Sequence, residues 1–360
     1  MNAWGKGFTG IALACALTAC GGGGDGGSTS TSGTTGGGNG GSNGGGVIVD
    51  TTSFTVSATV GGTKVQSFSV GSNQTATLTV KSGQDLRFDT DKDVNWKSGD
   101  KTSDTDVSIK GASTQSWTAS LKSPPGGTFT VTATSAKDAS KSIKVTVTVP
   151  PHEYTSGAQQ TVGRVTTWTE NFTQVDGTAV TQQRVNTTTA VDSTTGVATI
   201  PSTVNTIADE IYKQDADGNR LQRTRTDGNV CTYSPKRTLV SFPLSLGKSW
   251  KSTWTYTCTP GGYHETVNTT STVEAYEPLT TPMGTLNTLR IHHVEAITNS
   301  NDGQLQNGGP GNAAYNIDMV CWWDVASQRT VKCNQAYTYQ GGIAPANYTK
   351  TFTQVLKSVQ

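Results

Sequence analysis

From residue 47 onward, apolar residues alternate with polar ones in short runs and no helical period interrupts them. That is the pattern of half-buried strands, and it confines the chain to an all-β fold. The clearest early runs are Phe54 to Val60, Thr75 to Val80, Phe129 to Thr134 and Ile143 to Val149. Gly61-Gly62, Ser82-Gly83 and Pro124-Pro125-Gly126-Gly127 separate them as turns. About seven short strands in about 100 residues predict a β-sandwich over residues 47 to 150. Pro150-Pro151 then marks a boundary, because consecutive prolines favour an extended spacer and cannot continue a central strand.

Residues 151 to 360 form a second domain, again strand-like and rich in Thr, predicted as an antiparallel β-sheet or partial barrel. Asp217-Gly218, between Glu210 to Lys213 and Leu221 to Arg225, predicts a tight hairpin. Further strands are predicted at Ser249 to Thr257, Glu265 to Tyr276, Leu286 to Ile297, Ile317 to Trp323 and Thr330 to Tyr339. The sole helix-like stretch is Thr206 to Ile211.

The first residues have the layout of a secretory signal peptide, with Lys6 ahead of a short apolar run from Phe8 to Leu17. That run ends in Leu17-Thr18-Ala19-Cys20, which resembles the lipobox of bacterial lipoproteins. The resemblance implies cleavage after residue 19, a diacylglycerol on the Cys20 sulfur and a further acyl chain, such as palmitate, on the new amino group. Two or three acyl chains anchor stably where one holds marginally. Residues 20 to 46 are the lipidated cysteine and a Gly/Ser-rich tether, whose composition cannot bury enough apolar surface to fold. As a random coil the tether spans about 26 to 30 Å. Gly21, not Asp, follows Cys20, which points to the outer membrane, facing the periplasm or the medium.

Two further segments carry resemblances. Gly127 to Ser135 followed by Ser142 to Val149 resembles the last two strands of bacterial immunoglobulin-like domains, so the sandwich is expected to be immunoglobulin-like. Phe242-Pro243-Leu244-Ser245-Leu246-Gly247-Lys248-Ser249-Trp250, Thr281-Pro282-Met283-Gly284-Thr285-Leu286 and Trp322-Trp323-Asp324-Val325 together resemble an uncharacterised β-domain of bacterial envelope proteins. Met283 stands where that family has a small residue and Leu286 where it has an aromatic one. The family implies an antiparallel sheet or partial barrel and no activity.

Once Cys15 leaves with the signal and Cys20 is lipidated, Cys231, Cys258, Cys321 and Cys333 remain, an even number in an exported chain. Cys321 and Cys333 flank a turn centred on Ser327, so a symmetric hairpin would set them opposite each other, about 4.5 Å apart. Cys231 and Cys258 then pair by elimination. A zinc site built from the same cysteines is the rival reading, against which stands the absence of C-x2-C spacing.

The remaining candidates are weaker. His293 and Glu295 share one face of a strand beside His292, but two ligands need a third, and ordinary strand residues are expected. Asp89, Asp91, Asp93, Asp100, Asp104 and Asp106 could offer oxygens to calcium, yet Lys92, Lys97 and Lys101 are interleaved, so solvated loop charge is expected. Trp168, Trp250, Trp254, Trp322 and Trp323 are candidates for a stacking platform or pocket wall, with packing the leading reading. Adjacent Trp322 and Trp323 must point to opposite faces. Asn-x-Thr triplets at Asn73, Asn171, Asn186, Asn268 and Asn347 read as by-products of Thr-rich strands.

No nucleophile elbow, H-E-x-x-H, phosphate loop or dinucleotide fingerprint is present. The net charge of +1, without a basic stripe, argues against a nucleic-acid partner. The expectation is a non-catalytic structural or interaction component of the envelope, without cofactor or metal. Its expected partners are membrane lipid through Cys20 and an envelope protein, a glycan or an apolar ligand. Trp250, Trp254, Trp322 and Trp323 are the candidate contacts for such a ligand.

Overall fold

The computed structural model describes residues 52–99, 107–121, 124–260, 262–299, 314–340 and 348–360. The signal, Cys20 and the tether lie outside the described residues, as do Asp100, Asp104, Asp106 and Asn347. Among the described residues every regular element is a strand, so the fold is all-β.

The first nine strands are β1 (Phe54–Val60), β2 (Thr63–Val70), β3 (Gln74–Thr79), β4 (Asp85–Thr90), β5 (Val94–Gly99), β6 (Val107–Ser113), β7 (Ser116–Leu121), β8 (Gly127–Ser135) and β9 (Ser142–Val149). They form a five-stranded sheet in the order β2-β1-β4-β7-β6 and a four-stranded sheet in the order β3-β9-β8-β5. The first pairing of the smaller sheet, β3 with β9, is parallel. Nine strands stand where about seven were expected. The two edge strands, β2 and β6, expose nearly all their residues and so carry no apolar alternation to read. The inward residues of the two sheets, among them Val56, Phe88, Trp117, Val131 and Val147, share one core.

The other strands are β10 (Val165–Gln174), β11 (Ala179–Thr187), β12 (Ala190–Val191), β13 (Ala198–Val204), β14 (Ile207–Gln214), β15 (Arg220–Arg225), β16 (Val230–Arg237), β17 (Ser249–Thr259), β18 (His264–Thr281), β19 (Gly284–Asn299), β20 (Ala314–Asp324), β21 (Arg329–Gln340) and β22 (Thr349–Val359). All but the two-residue β12 run up and down around a ring. The ring closes where β10 meets β22 along nine residue pairs and where β11 meets β13 along three. Among the described residues the domain is therefore a twelve-stranded antiparallel barrel, in line with the sheet or partial barrel expected. Closure satisfies the edge hydrogen bonds that an open sheet would leave to water.

Local turn chemistry places the hairpins. Gly218, at φ +82°, supplies the left-handed residue that the β14–β15 turn requires. Asn205 and Thr206, at φ 48° and 73°, make the tight turn between β13 and β14, so the helix-like stretch at 206 to 211 is a turn and a strand instead. Ile200 of β13 faces Tyr212 of β14 across that hairpin, and packing overrides the local helical tendency.

The outward faces of β17, β18 and β19 carry Lys251, Thr253, Thr255 and Thr257, then Thr266, Asn268, Thr270 and Thr272, then Arg290, His292, Val294, Ala296 and Thr298. A barrel immersed in lipid shows an apolar band there. These three strands instead present mainly polar residues outward, while Trp254, Tyr256 and Ile291 face in.

Between sandwich and barrel the chain is tightly drawn. A β-carbon on Gly126 (φ +79°) would lie 2.6 Å from the Val149 carbonyl oxygen, so only glycine lets that turn pass the Pro150-Pro151 junction. The His152 amide donates to the Pro124 carbonyl at 2.8 Å, and the Tyr154 ring packs edge-on against Trp323 at 5.1 Å. The sandwich core nevertheless contains only residues between Phe54 and Val149, and the barrel clusters begin at Tyr154. Calorimetry on fragments 47–150 and 152–360 is expected to reproduce the transitions of the whole chain. One transition absent from both fragments would show that the two parts unfold as a unit.

Candidate functional site

Alternation along twelve strands sends every second side chain inward, and a ring of that size is wider than side chains alone can fill. The result is a cavity of 380 Å³ in the barrel. Its lining is mixed: Arg164, Arg184, Arg220, Arg223, Arg237 and Arg329 contribute charge, with Trp168, Tyr212, Tyr233, Tyr337, Tyr339 and Tyr348 among the aromatic residues. Aliphatic side chains such as Leu239, Val240, Ile291 and Met319 share that lining with the charges.

On one wall the charges are knitted together. Arg184 donates from Nε to Glu170 Oε1 at 2.8 Å and from Nη1 to Asp209 Oδ2 at 2.6 Å and Ser202 Oγ at 2.9 Å. Glu210 accepts from Arg223 Nε and from the Tyr212 hydroxyl. Burial pushes the Glu210 pKa up, but Arg223, Arg220 and Arg184 together hold it below its usual value. Such a network is costly to desolvate and costlier to break at one member.

His293, which lines the cavity, and Glu295 both lie fully buried on β19. His293 Nδ1 shares a 2.7 Å hydrogen bond with the Ser271 hydroxyl. Burial, then Arg237 and His292, push the His293 pKa down to about 3. Neither carboxylate oxygen of Glu295 has a hydrogen-bond partner, and burial pushes its pKa up to about 8 against the pull of Arg237. The Ser271–His293 pair has the spacing of a nucleophile and its base, but an imidazole with a pKa of about 3 cannot hold a serine proton near neutral pH. Ser271 also lies outside the residues that line the cavity.

The structure separates the tryptophan candidates. Trp323 faces inward and lines the cavity, while Trp322 lies on the outer surface, donating from Nε1 to Glu277 at 2.8 Å under the Lys332 ammonium. Trp254 is sealed in an aromatic cluster with Tyr256 and Tyr263, and Trp250 packs edge-on to His293; neither lines the cavity. Trp168, by contrast, does. The cysteines pair as Cys231–Cys258 and Cys321–Cys333, with Cα atoms 4.0 and 4.1 Å apart at directly opposed positions inside the barrel. Of the acidic stretch, Asp89 pairs with Arg87, Asp91 accepts from the Thr55 amide and Asp93 accepts from Gln115. No group of three or more potential metal ligands converges among the described residues.

The lining arginines were missed by sequence reading, because a charged residue on an alternating strand is read as facing water. The one available signal was their density: Arg220, Arg223 and Arg225 crowd one six-residue strand.

No protein-family model matches the chain, and no curated protein matches it in sequence. Among solved structures, an exported protein of YmcC-like fold from Bacteroides fragilis, so described provisionally, is 10% identical over 57% of this chain and 100% of its own, with a TM-score of 0.33. A protein provisionally described as a lipoprotein from Parabacteroides distasonis is 11% identical over 58% of this chain and 100% of its own, with a TM-score of 0.27. The hypothetical lipoprotein YmcC from Escherichia coli is 9% identical over 56% of this chain and 86% of its own, with a TM-score of 0.31. Scores of this size carry no role from those proteins to this chain.

Proposed function

We propose that the chain is a lipid-anchored envelope protein that binds rather than catalyses, holding a small polar ligand inside its barrel. The observation that carries the binding half is the 380 Å³ cavity on a closed framework, within the size range of small-molecule sites. The anchoring half rests on the lipobox at Cys20 and the tether behind it. The immunoglobulin-like sandwich acts as a rigid spacer between tether and barrel, and the outer membrane is the expected address. A wholly apolar ligand fits less well, since it would offer the arginines of the lining no hydrogen bond. A glycan lying on exposed tryptophans is disfavoured because only Trp322 of the C-terminal set faces outward, and its indole is engaged by Glu277 and Lys332.

Two measurements test the reading. Cys20→Ser should move the protein from the membrane fraction to the soluble one, and a variant that stays on the membrane with no partner holding it removes the lipid anchor from the account. Mass spectrometry on extracts of the natively purified protein should recover a small molecule that is lost from Gln335→Trp, whose bulk fills the cavity. Identical extracts from a folded Gln335→Trp protein would show that nothing is held in the barrel.

A further inference from the structure

The positive charges of the cavity are unevenly neutralised. Arg184 and Arg223 take up Glu170, Asp209 and Glu210. Arg220 makes no contact-distance ion pair among the described residues; Tyr212, Tyr233 and Glu210 favour its charge, and its guanidinium lies 4.0 Å from the centre of the Tyr212 ring. Stacking occupies the flat face of that group and leaves its N–H edge to donate.

Directly across from Arg220, on β16, stands Arg237, and both line the cavity. A β-bulge after Arg220 shifts the register, which allows Arg220 and Arg223, three residues apart, to face the same interior. Like charges set directly opposite on neighbouring strands destabilise a sheet, and a low-dielectric interior strengthens the repulsion. Burial lowers the Arg237 pKa and Arg220 lowers it further, with Glu295 acting the other way. Glu295 brings little negative charge, because with a pKa of about 8 it is mostly protonated at neutral pH. Two guanidinium groups on facing strands thus line the same side of the cavity.

Beside them Tyr233, Tyr337 and Tyr339 form an aromatic wall, the last two rings nearly parallel at 18° with centres 6.4 Å apart. Burial pushes the phenols of Tyr337 and Tyr339 well above their usual value, so both stay neutral.

We infer that the cavity takes a small organic anion, its carboxylate or phosphate group set between Arg220 and Arg237 and its uncharged body against Tyr233, Tyr337 and Tyr339. The inference rests on the barrel being a ligand-holding compartment. An oxyanion between the two would accept two sets of charge-assisted hydrogen bonds, and the planar guanidinium fork suits carboxylate and phosphate alike. The volume of 380 Å³ admits a metabolite-sized anion and not an intact phospholipid.

Two naphthylamine dyes that differ by one sulfonate provide the test: anilinonaphthalene sulfonate and its neutral parent, N-phenyl-1-naphthylamine, each titrated into the mature protein. The sulfonate dye should bind more tightly, and Gln335→Trp should abolish its binding. Arg220→Gln should weaken it about tenfold or more while leaving the neutral dye unchanged. Inorganic phosphate and benzoate should both compete with it and glucose should not; competition by one alone would assign the site to phosphates or to carboxylates. If Arg220→Gln fails to fold, Arg237→Gln gives the same comparison.

Equal affinity for the two dyes, or indifference to both arginine substitutions, overturns the anion site and leaves the compartment standing. Failure of both dyes to bind overturns the compartment itself. Loss of both dyes together with a lowered melting temperature in the arginine variants overturns the anion site in favour of a structural role for the pair.

Discussion

Raising the pH from about 6.5 to 8 is expected to destabilise the barrel, and Glu295→Gln should remove most of that loss. Glu295 holds its proton up to about pH 8 in the folded chain, whereas in the unfolded chain it releases it near 4.5. The folded state therefore binds more protons between those values. Its stability is full below pH 4.5 and declines as the pH rises to about 8, by up to about 1.4 kcal/mol per pH unit. His293 acts in the opposite sense. Its pKa is depressed from 6.5 to about 3, so the stability it contributes is full above pH 6.5 and is lost as the pH falls to about 3. Between 4.5 and 6.5 the two slopes cancel, and unfolding free energy should run flat there and fall on either side. Urea denaturation at pH 4, 5.5, 7 and 8.5 would trace that profile. A Glu295→Gln protein that loses as much stability above pH 6.5 as its parent would show that some other group carries the dependence.

Removing either disulfide should be as damaging. The Cys321–Cys333 bond links residues 12 apart, for which the chain-entropy account gives about 3 kcal/mol. The Cys231–Cys258 bond links residues 27 apart and should contribute about 0.7 kcal/mol more. Both pairs point into the barrel, so double substitution by Ala also leaves a cavity and adds to the loss. The expected ranking in urea is parent, then Cys321→Ala/Cys333→Ala, then Cys231→Ala/Cys258→Ala, with no change in metal content. Peptide mapping without reduction should recover the two pairs. Free thiols or bound zinc in the exported protein would replace the structural staples with a metal site.

Much of this was legible before any tertiary contact was known. The period of two marked the strands, and Asp217-Gly218 marked a hairpin because the turn needs a left-handed residue; Cys321 and Cys333 lie opposite each other, but a bulge between Trp322 and Trp323, which the sequence did not show, is what sets that register. Trp322 and Trp323 had to diverge, and they do. Other features left little trace. Edge strands β2 and β6 lack a buried face, and β12, at two residues, is too short to show a period.

The sequence alone determined an all-β chain with particular hairpins, because turn geometry and side-chain alternation are local properties of the backbone. It left open which face of each strand became the inside. The inner faces of β14, β15, β16 and β19 carry Glu210, Arg223, Arg237 and Glu295, residues that alternation assigns to water. Their burial becomes tolerable only when strands far apart in the chain bring opposite charges and hydrogen-bonding groups together, as Arg184 of β11 meets Glu170 of β10 and Asp209 of β14. The direction of a side chain depends on register, register can shift by one residue at a bulge such as that between Arg220 and Gln222 against β14, and a one-residue shift moves a side chain to the other face. Barrel closure through β10–β22 and β11–β13, a property of the whole ring and of no single strand, decided which charges line the cavity.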